Sequence, residues 1–402
     1  MTRDATAWSW WAPVRLAVGR GARAGLADTP SEPWIVVCSR RAREQAERDP
    51  WLRAAVAGRV AHWVDDVRAN PQREWLQITS ERLRSSWSGP CAFLAIGGGS
   101  AIDAAKGLAA LLAVPAEVSL DLLIEDPGML SVSDDVPTIL AVATTAGSGS
   151  EVTPFATIWD AAAGTKASLA HPRLWPASAF VDADLMDDLP YEVTLATGLD
   201  ALNQAAESTW SRRASPVSLE LAGRALEVGL PALEALTKGL GAGASGAAPS
   251  HAVAESAMPD PRAAMAESSS LAGLAIAHTR TALCHAMSYP ITARFGVPHG
   301  LACGFTMAAV ARHVAPADDG RLARLASRLG LVDGFTLAAR FDELLRSTGG
   351  SEWVRRQVGS LDALLRLRPA MAAPGRADNV LRPADARDLG RILTEAWAGG
   401  PV

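Results

Sequence analysis

The sequence predicts two unlike parts, an α/β domain built on a parallel sheet over residues 1–190 and an all-helical domain over residues 191–402. Three observations carry that prediction. The first half alternates short β-rich runs with helical ones, the pattern of a parallel α/β sheet. One of the β-rich runs passes directly into a glycine turn and then a helix. From Tyr191 onward, helical periodicity dominates and strand-like runs are lacking. With 402 residues and 49% apolar content, the chain can bury the two cores this requires.

Taken in order, Trp8, Trp10 and Trp11 alternate as in a short opening strand packed on the first domain; a membrane or partner patch is the other reading. Trp34–Cys38 (WIVVC) reads as a buried strand and residues 40–57 as helix. The strand Phe93–Ile96 runs into Gly97, Gly98, Gly99 and Ser100 and then into the helix AIDAAKGLAALLA. A glycine turn between strand and helix lets backbone amides approach a pyrophosphate, while the helix N-terminus adds matching positive charge. A tight turn without a ligand has the same sequence. Residues 138–142 (TILAV) form the next strand, followed by Thr144, Thr145, Ala146, Gly147, Ser148, Gly149, Ser150 and Glu151. Small hydroxyl and glycine residues suit either close contact with a cofactor or a solvated loop. Residues 182–190 (DADLMDDLP) lead into the second domain, where residues 240–260, rich in Ala, Gly and Ser with no apolar period, read as a mobile surface insertion. Helices resume at residues 262–279.

Composition excludes several classes of partner. The net charge of −5 and pI near 5.9 give no basic excess for nucleic acid. No uninterrupted membrane-length or signal-length apolar run is present. Cys38, Cys91, Cys284 and Cys303 are widely spaced and form neither CxxC nor a disulfide framework, so they read as reduced thiols of a cytoplasmic protein.

Two stretches carry candidate chemistry. In GLDALNQAAESTW, Asp200, Gln204 and Glu207 fall at i, i+4 and i+7 and share one helix face. In TALCHAMSYPITARFGVPHG, His285 and His299 lie fourteen residues apart, a spacing that alone fits structural histidines as well as ligands. A carboxylate and an amide oxygen on one helix facing two imidazoles form a nitrogen and oxygen set suited to Fe or Zn. His62, His171, His251, His278 and His313 have no such partner spacing and read as surface or capping residues.

These stretches, with GGGSAIDAAK and TTAGSGSE, resemble the iron-containing alcohol dehydrogenase family from the opening strand to about Val314. The resemblance rests on Asp200-Ala201-Leu202, His285-Ala286-Met287, Pro298-His299-Gly300 and the cofactor strings with Asp103 and Lys106. It implies a Rossmann-like N-terminal domain, an all-helical C-terminal domain of the dehydroquinate synthase-like fold, and an active site in the cleft between them. It further implies a divalent metal, Fe(2+) or Zn(2+), on Asp200, Gln204, His285 and His299, and a nicotinamide held by Gly97, Gly98, Gly99, Ser100, Asp103, Thr144, Thr145 and Ser148. Lys166 stands where the family has a lysine near the active site, and Tyr289 where many members have a further His. Gln204 replaces the family's second ligand, a His; its neutral amide is a poorer ligand, so weaker metal binding is expected. Metal-dependent lyases and glycerol-phosphate dehydrogenases share the fold, and loss of metal at Gln204 would leave a cofactor-binding protein without activity.

ESTWSRRASPVS and HAMSYPITARFGVPHGLACG are similar to the phosphonate-linked branch of the family, which reduces phosphonoacetaldehyde to 2-hydroxyethylphosphonate. A phosphonate needs cationic and hydroxyl donors; Ser288 and Arg294 are the expected substrate contacts, with Lys166, Arg212 and His171 as further candidates. The strand WIVVC closes on Ser39, followed by Arg40 and Arg41, where an acidic residue would favour NADH by holding the 2'-hydroxyl. NADPH is therefore the expected cofactor, with NADH possible. A small aldehyde is the expected partner and a homodimer the expected assembly, without nucleic acid or membrane.

Overall fold

The computed structural model describes residues 8–29, 32–131, 136–160, 165–240, 258–372 and 375–401. Strands β1 (Arg15–Val18), β2 (Trp34–Cys38), β3 (Val60–Val64), β4 (Ala92–Gly97), β5 (Ile139–Ala143) and β8 (Ser178–Val181) form one parallel sheet of order β1-β8-β5-β4-β2-β3. β6 (Phe155–Asp160) and β7 (Thr165–Ala170) make a separate antiparallel pair. The chain steps out from β2 to β3 and then returns to β4 on the other side of β2. This reversal opens a crevice at the carboxyl ends of β2 and β4, the place where open α/β sheets bind ligands.

Central strands are apolar throughout because both sheet faces are covered. Trp34, Val36 and Cys38 pack with Leu94, Ile96, Leu140 and Phe180 under α1 (Arg40–Arg48) and α2 (Pro50–Val56). Ile35, Val37, Phe93, Ala95 and Ala141 face α3 (Arg73–Ser86) and α4 (Gly99–Leu112), and α5 (Leu120–Glu125) closes that side. The second core continues without a break into the helical part.

There α6 (Tyr191–Trp210) is the central rod, buried almost all round from Gly198. α7 (Pro216–Leu240), α8 (Pro261–Thr279), α9 (Leu283–Phe295) and α10 (His299–Val314) pack around it. Small residues set the approach: a Cβ at Gly229 of α7 would lie 2.8 Å from Leu202 of α6. α11 (Arg321–Arg328), α12 (Gly334–Ser347), α13 (Gly350–Val358), α14 (Leu361–Leu365), α15 (Arg368–Met371) and α16 (Ala386–Ala398) complete the domain. None of the described helices is long and apolar enough to cross a membrane. All four cysteines are free.

The structure corrects several sequence expectations. Trp8, Trp10 and Trp11 precede the opening strand instead of forming it, and Trp10 stacks on His278 with ring centres 3.9 Å apart. The helix expected over residues 40–57 is two, because Asp49 ends one and caps the next, accepting from Leu52 N at 2.9 Å ahead of Pro50. β3 and the β6–β7 pair were not expected; they are short and carry polar residues such as His62, Lys166 and Ser168 among the apolar ones. Most of the insertion expected over residues 240–260 lies outside the described residues, but Leu240 ends α7 and Asp260 caps α8 by accepting from Ala263 N at 3.1 Å.

Candidate active site

Two loops leave the carboxyl edge of the sheet side by side. β4 ends in Gly97 with φ of 156°, and α4 starts at Gly99 with no side chain capping its amides. The second loop lies close: a Cβ at Gly98 would sit 2.8 Å from Thr145 Oγ1, and one at Gly99 would collide with Ser148. Thr144 N donates to Gly97 O at 3.0 Å. Bare amides at a helix N-terminus beside two glycines can receive a pyrophosphate.

Asp103 and Lys106 brace this wall. Asp103 accepts from Ser150 Oγ and, at 2.9 Å, from Thr157 N. Lys106, fully buried, donates to the carbonyls of Ser150, Thr153 and Phe155 at 2.6–2.9 Å. Burial pulls its ammonium down to about 8 while the Asp103 and Glu151 carboxylates oppose the shift. The second loop is also fixed to the helical domain. A Cβ at Gly147 would lie 2.7 Å from Thr197 Cβ of α6, and Gln204 Nε2 donates to Ser148 O at 3.1 Å.

Across the cleft, Asp200, His285, His299 and Cys303 bring one donor atom each within 4.8 Å of one another. Each comes from a helix set by packing. Glu207, fully buried on α6, accepts from Ala282 N (2.7 Å) and His285 N (3.2 Å) and so caps α9 from outside. The same carboxylate accepts from His285 Nδ1 at 2.7 Å, which leaves Nε2 facing Asp200 Oδ1 at 3.5 Å. A carboxylate behind an imidazole fixes its tautomer and raises its basicity toward a metal. His299 opens α10 directly after Pro298, and Cys303 follows one turn later on the same face.

Burial alone would lower His285, but Cys303, Glu207 and Asp200 raise it well above the usual imidazole value. His299 is pushed down to about 3 by burial and by the nearby Lys166 ammonium, which keeps its ring neutral. Asp200 Oδ1 and Gln204 Oε1 are both buried without a hydrogen-bond partner. Two orphaned oxygens, two imidazoles and a thiol form a set that a divalent first-row metal would satisfy.

One cavity joins the two walls. It is lined by Gly99, Ser100, Asp103, Thr145 and Ser148 on the sheet side and by Asp200, Gln204, His285, His299 and Tyr289 on the helical side, with Lys166 of β7 and Phe155 of β6 between them. Lys166 Nζ lies 3.1 Å from the centre of the Tyr289 ring, which stacks on His299 at 5.5 Å. Burial would raise the Tyr289 phenol, yet Lys166, His285 and Arg376 overcome that and lower it. Ser39 caps α1, accepting from Ala42 N at 3.2 Å, and Arg40 beside it is exposed; both stand outside this cavity at the end of β2.

Two expected substrate contacts are not part of the cleft. Arg294 is exposed, because nine residues after His285 a helix has turned to its opposite face. Ser288 is fully buried, donating to His285 O at 2.9 Å and standing 3.3 Å from His299 Nδ1, so it supports the histidines. Arg212 is exposed as well, and His171 pairs with Ser131 at 2.9 Å. Cys303, whose thiol burial pushes up, was not anticipated as a donor; its i+4 spacing from His299 was the available signal.

The sequence matches two family models, iron-containing alcohol dehydrogenase over residues 13–183 and the Fe-containing alcohol dehydrogenase C-terminal family over residues 194–350. It is 35% identical over 318 residues to phosphonoacetaldehyde reductase of Streptomyces viridochromogenes, covering 75% of each chain. A 1-propanol dehydrogenase of Salmonella typhimurium is 31% identical, over 76% of this chain and 78% of that protein. Sulfoacetaldehyde reductase of Bifidobacterium kashiwanohense, solved with NAD+, superposes with a TM-score of 0.81 at 26% identity, over 98% of this chain and 99% of the other. The family match speaks against the lyases that share the fold. The chain belongs to the iron-containing alcohol dehydrogenase family and is an oxidoreductase acting on the alcohol–aldehyde couple.

Proposed function

We propose that this enzyme reduces a small aldehyde bearing a phosphonate to the primary alcohol in the cytoplasm, phosphonoacetaldehyde to 2-hydroxyethylphosphonate, with NADPH and Fe(2+) or Zn(2+). The observation that carries this reading is the cleft in which the glycine turn, the donor cluster and Lys166 face one another. Similarity to a phosphonoacetaldehyde reductase supports the substrate class.

Asp200, His285 and His299, with Gln204 Oε1 or the Cys303 thiolate as fourth donor, would hold the metal. When bound, the metal supplies Lewis acidity to the carbonyl and the nicotinamide supplies the hydride. Gly97, Gly98, Gly99 and Ser100, at the α4 N-terminus, would hold the cofactor pyrophosphate, together with Thr144, Thr145 and Ser148 of the neighbouring loop. Tyr289, its phenol lowered by the cations around it, passes a proton to the alcohol oxygen, and Lys166 steadies the phenolate that remains. The substrate prediction is direct: phosphonoacetaldehyde should exceed propanal in kcat/KM by about 100-fold, since an anion adds charge-assisted hydrogen bonds. Equal values for the two aldehydes would refute the phosphonate assignment.

Cofactor choice rests on the end of β2. Ser39 removes the carboxylate that would repel a 2'-phosphate, and exposed Arg40 is free to turn toward one. NADPH should give the higher kcat/KM, and Ser39→Asp should swing the preference toward NADH by about tenfold or more through charge repulsion. A wild type that already prefers NADH would show the assignment to be wrong.

A further inference from the structure

Lys166 is not alone among cations beside the cleft. Arg376 holds its guanidinium carbon 5.2 Å from the centre of the Tyr289 ring, and Arg280 holds its own 4.9 Å from the centre of Phe155. Both rings line the cavity, as do Ile276 and Thr281 around Arg280; the two arginines stack on the rings and are not themselves in the lining. Among the described residues, neither arginine nor Lys166 forms a salt bridge with a carboxylate. Arg23, by contrast, faces Asp49, Asp182 and Asp184, and Arg312 faces Asp342 and Glu395, while buried Arg262 donates to Thr194 Oγ1 and Leu189 O. Burial lowers Arg280, and the like charges of Arg213 and Arg376 lower it further.

The backbone is bent to present Arg280. With φ of 62° and ψ of 167° at the end of α8, it shares positive φ only with Asn70 among described residues other than glycine. Such a conformation persists where its surroundings impose it and concentrates at functional sites. Here buried Asn379 donates from Nδ2 to Thr279 O at 2.8 Å and to Thr281 O at 3.1 Å, and Ser211 Oγ lies 3.1 Å from Thr279 O. The carbonyls on both sides of Arg280 are thereby fixed.

We infer that Arg280 and Arg376, with Lys166, form the subsite for the tetrahedral oxyanion of the substrate, a phosphonate or a sulfonate carried on the carbon next to the aldehyde. This rests on the proposed reduction of an anionic aldehyde and names the residues that read the anion. Guanidinium forks match such an oxyanion with paired hydrogen bonds. Cations gathered without a carboxylate partner attract an anion among them. Their place is also correct for the chemistry, since Arg376 and Lys166 flank the Tyr289 ring, which stacks on His299 of the donor cluster.

The test uses metal-loaded full-length enzyme with saturating NADPH and three aldehydes: phosphonoacetaldehyde, sulfoacetaldehyde and propanal. Arg376 sits in a turn where its side chain makes no hydrogen bond to another described residue, and glycine suits the positive φ at position 280, so Arg376→Gln and Arg280→Gly should both fold. Each variant should lose roughly 10- to 100-fold in kcat/KM for the anionic aldehydes, mainly through KM; Arg280→Gly should stay within about threefold on propanal, while Arg376→Gln, which also removes a charge beside the Tyr289 phenol, should lose more on the anionic aldehydes than on propanal. Equal losses on all three aldehydes, or none on the anionic ones, would overturn the subsite. A wild type that prefers neither anionic aldehyde over propanal would overturn the proposed function together with the subsite; a preference that survives both variants would overturn the subsite alone. Whichever anionic aldehyde the wild type turns over faster identifies the headgroup.

Discussion

His285→Ala should fold, lose its divalent metal and fall by about a thousandfold or more in kcat/KM, the several kcal/mol that a Lewis acid contributes to carbonyl reduction. The side chain is almost fully buried, and its Nε2 is aimed at Asp200 by the Glu207 bond to Nδ1. Removing the imidazole takes away the group that Asp200 and Glu207 are arranged around. Glu207→Gln should be milder, about 10- to 100-fold in metal affinity, because it acts through His285. Chelator-resistant metal, turnover and far-ultraviolet circular dichroism measured on the same preparations check all three expectations. A His285→Ala protein with wild-type metal content would refute this ligand.

Gly300→Ala should be nearly as damaging without touching a donor atom. A methyl group there would collide with the Ala196 carbonyl oxygen of α6 and lie 2.7 Å from Asp200 Cβ. α10 could accept it only by moving away from α6, which carries His299 and Cys303 away from Asp200. Overpacking of this kind costs about 1–3 kcal/mol, enough to lower Tm by a few degrees. Metal affinity should fall with it. Thermal unfolding and a metal titration of the variant read the two effects, and wild-type affinity would mean that the α6–α10 contact does not set the site.

The legible parts of this sequence are those where one physical demand dominates. WIVVC, AFLAIG and ILAVA announce buried parallel strands because both faces of the sheet are covered and no position can be polar. GGGS announces a close approach because Thr145 and Ser148 leave no room for side chains at Gly98 and Gly99. β3 and the β6–β7 pair stayed hidden since their residues face both core and solvent, so neither a continuous apolar run nor a clean alternation marks them. Cys303 lies in a largely buried, mostly apolar helix, where a cysteine reads as core despite its i+4 spacing from His299. It becomes a candidate donor only because α10 starts against α6. Arg280 and Arg376 were beyond sequence reasoning for the same cause: each is far along the chain from the ring it flanks. Arg294, close to the histidines in sequence, is carried to solvent by the turn of α9.

The central claim is that α6, α9 and α10 assemble a working metal centre although Gln204 stands in place of a histidine. Bound-metal stoichiometry measured together with NADPH-dependent aldehyde reduction, before chelation and after re-addition of Fe(2+) or Zn(2+), tests it most directly. One ion per chain, with activity lost and regained in proportion to it, is the predicted result; full turnover in protein stripped of metal would contradict it.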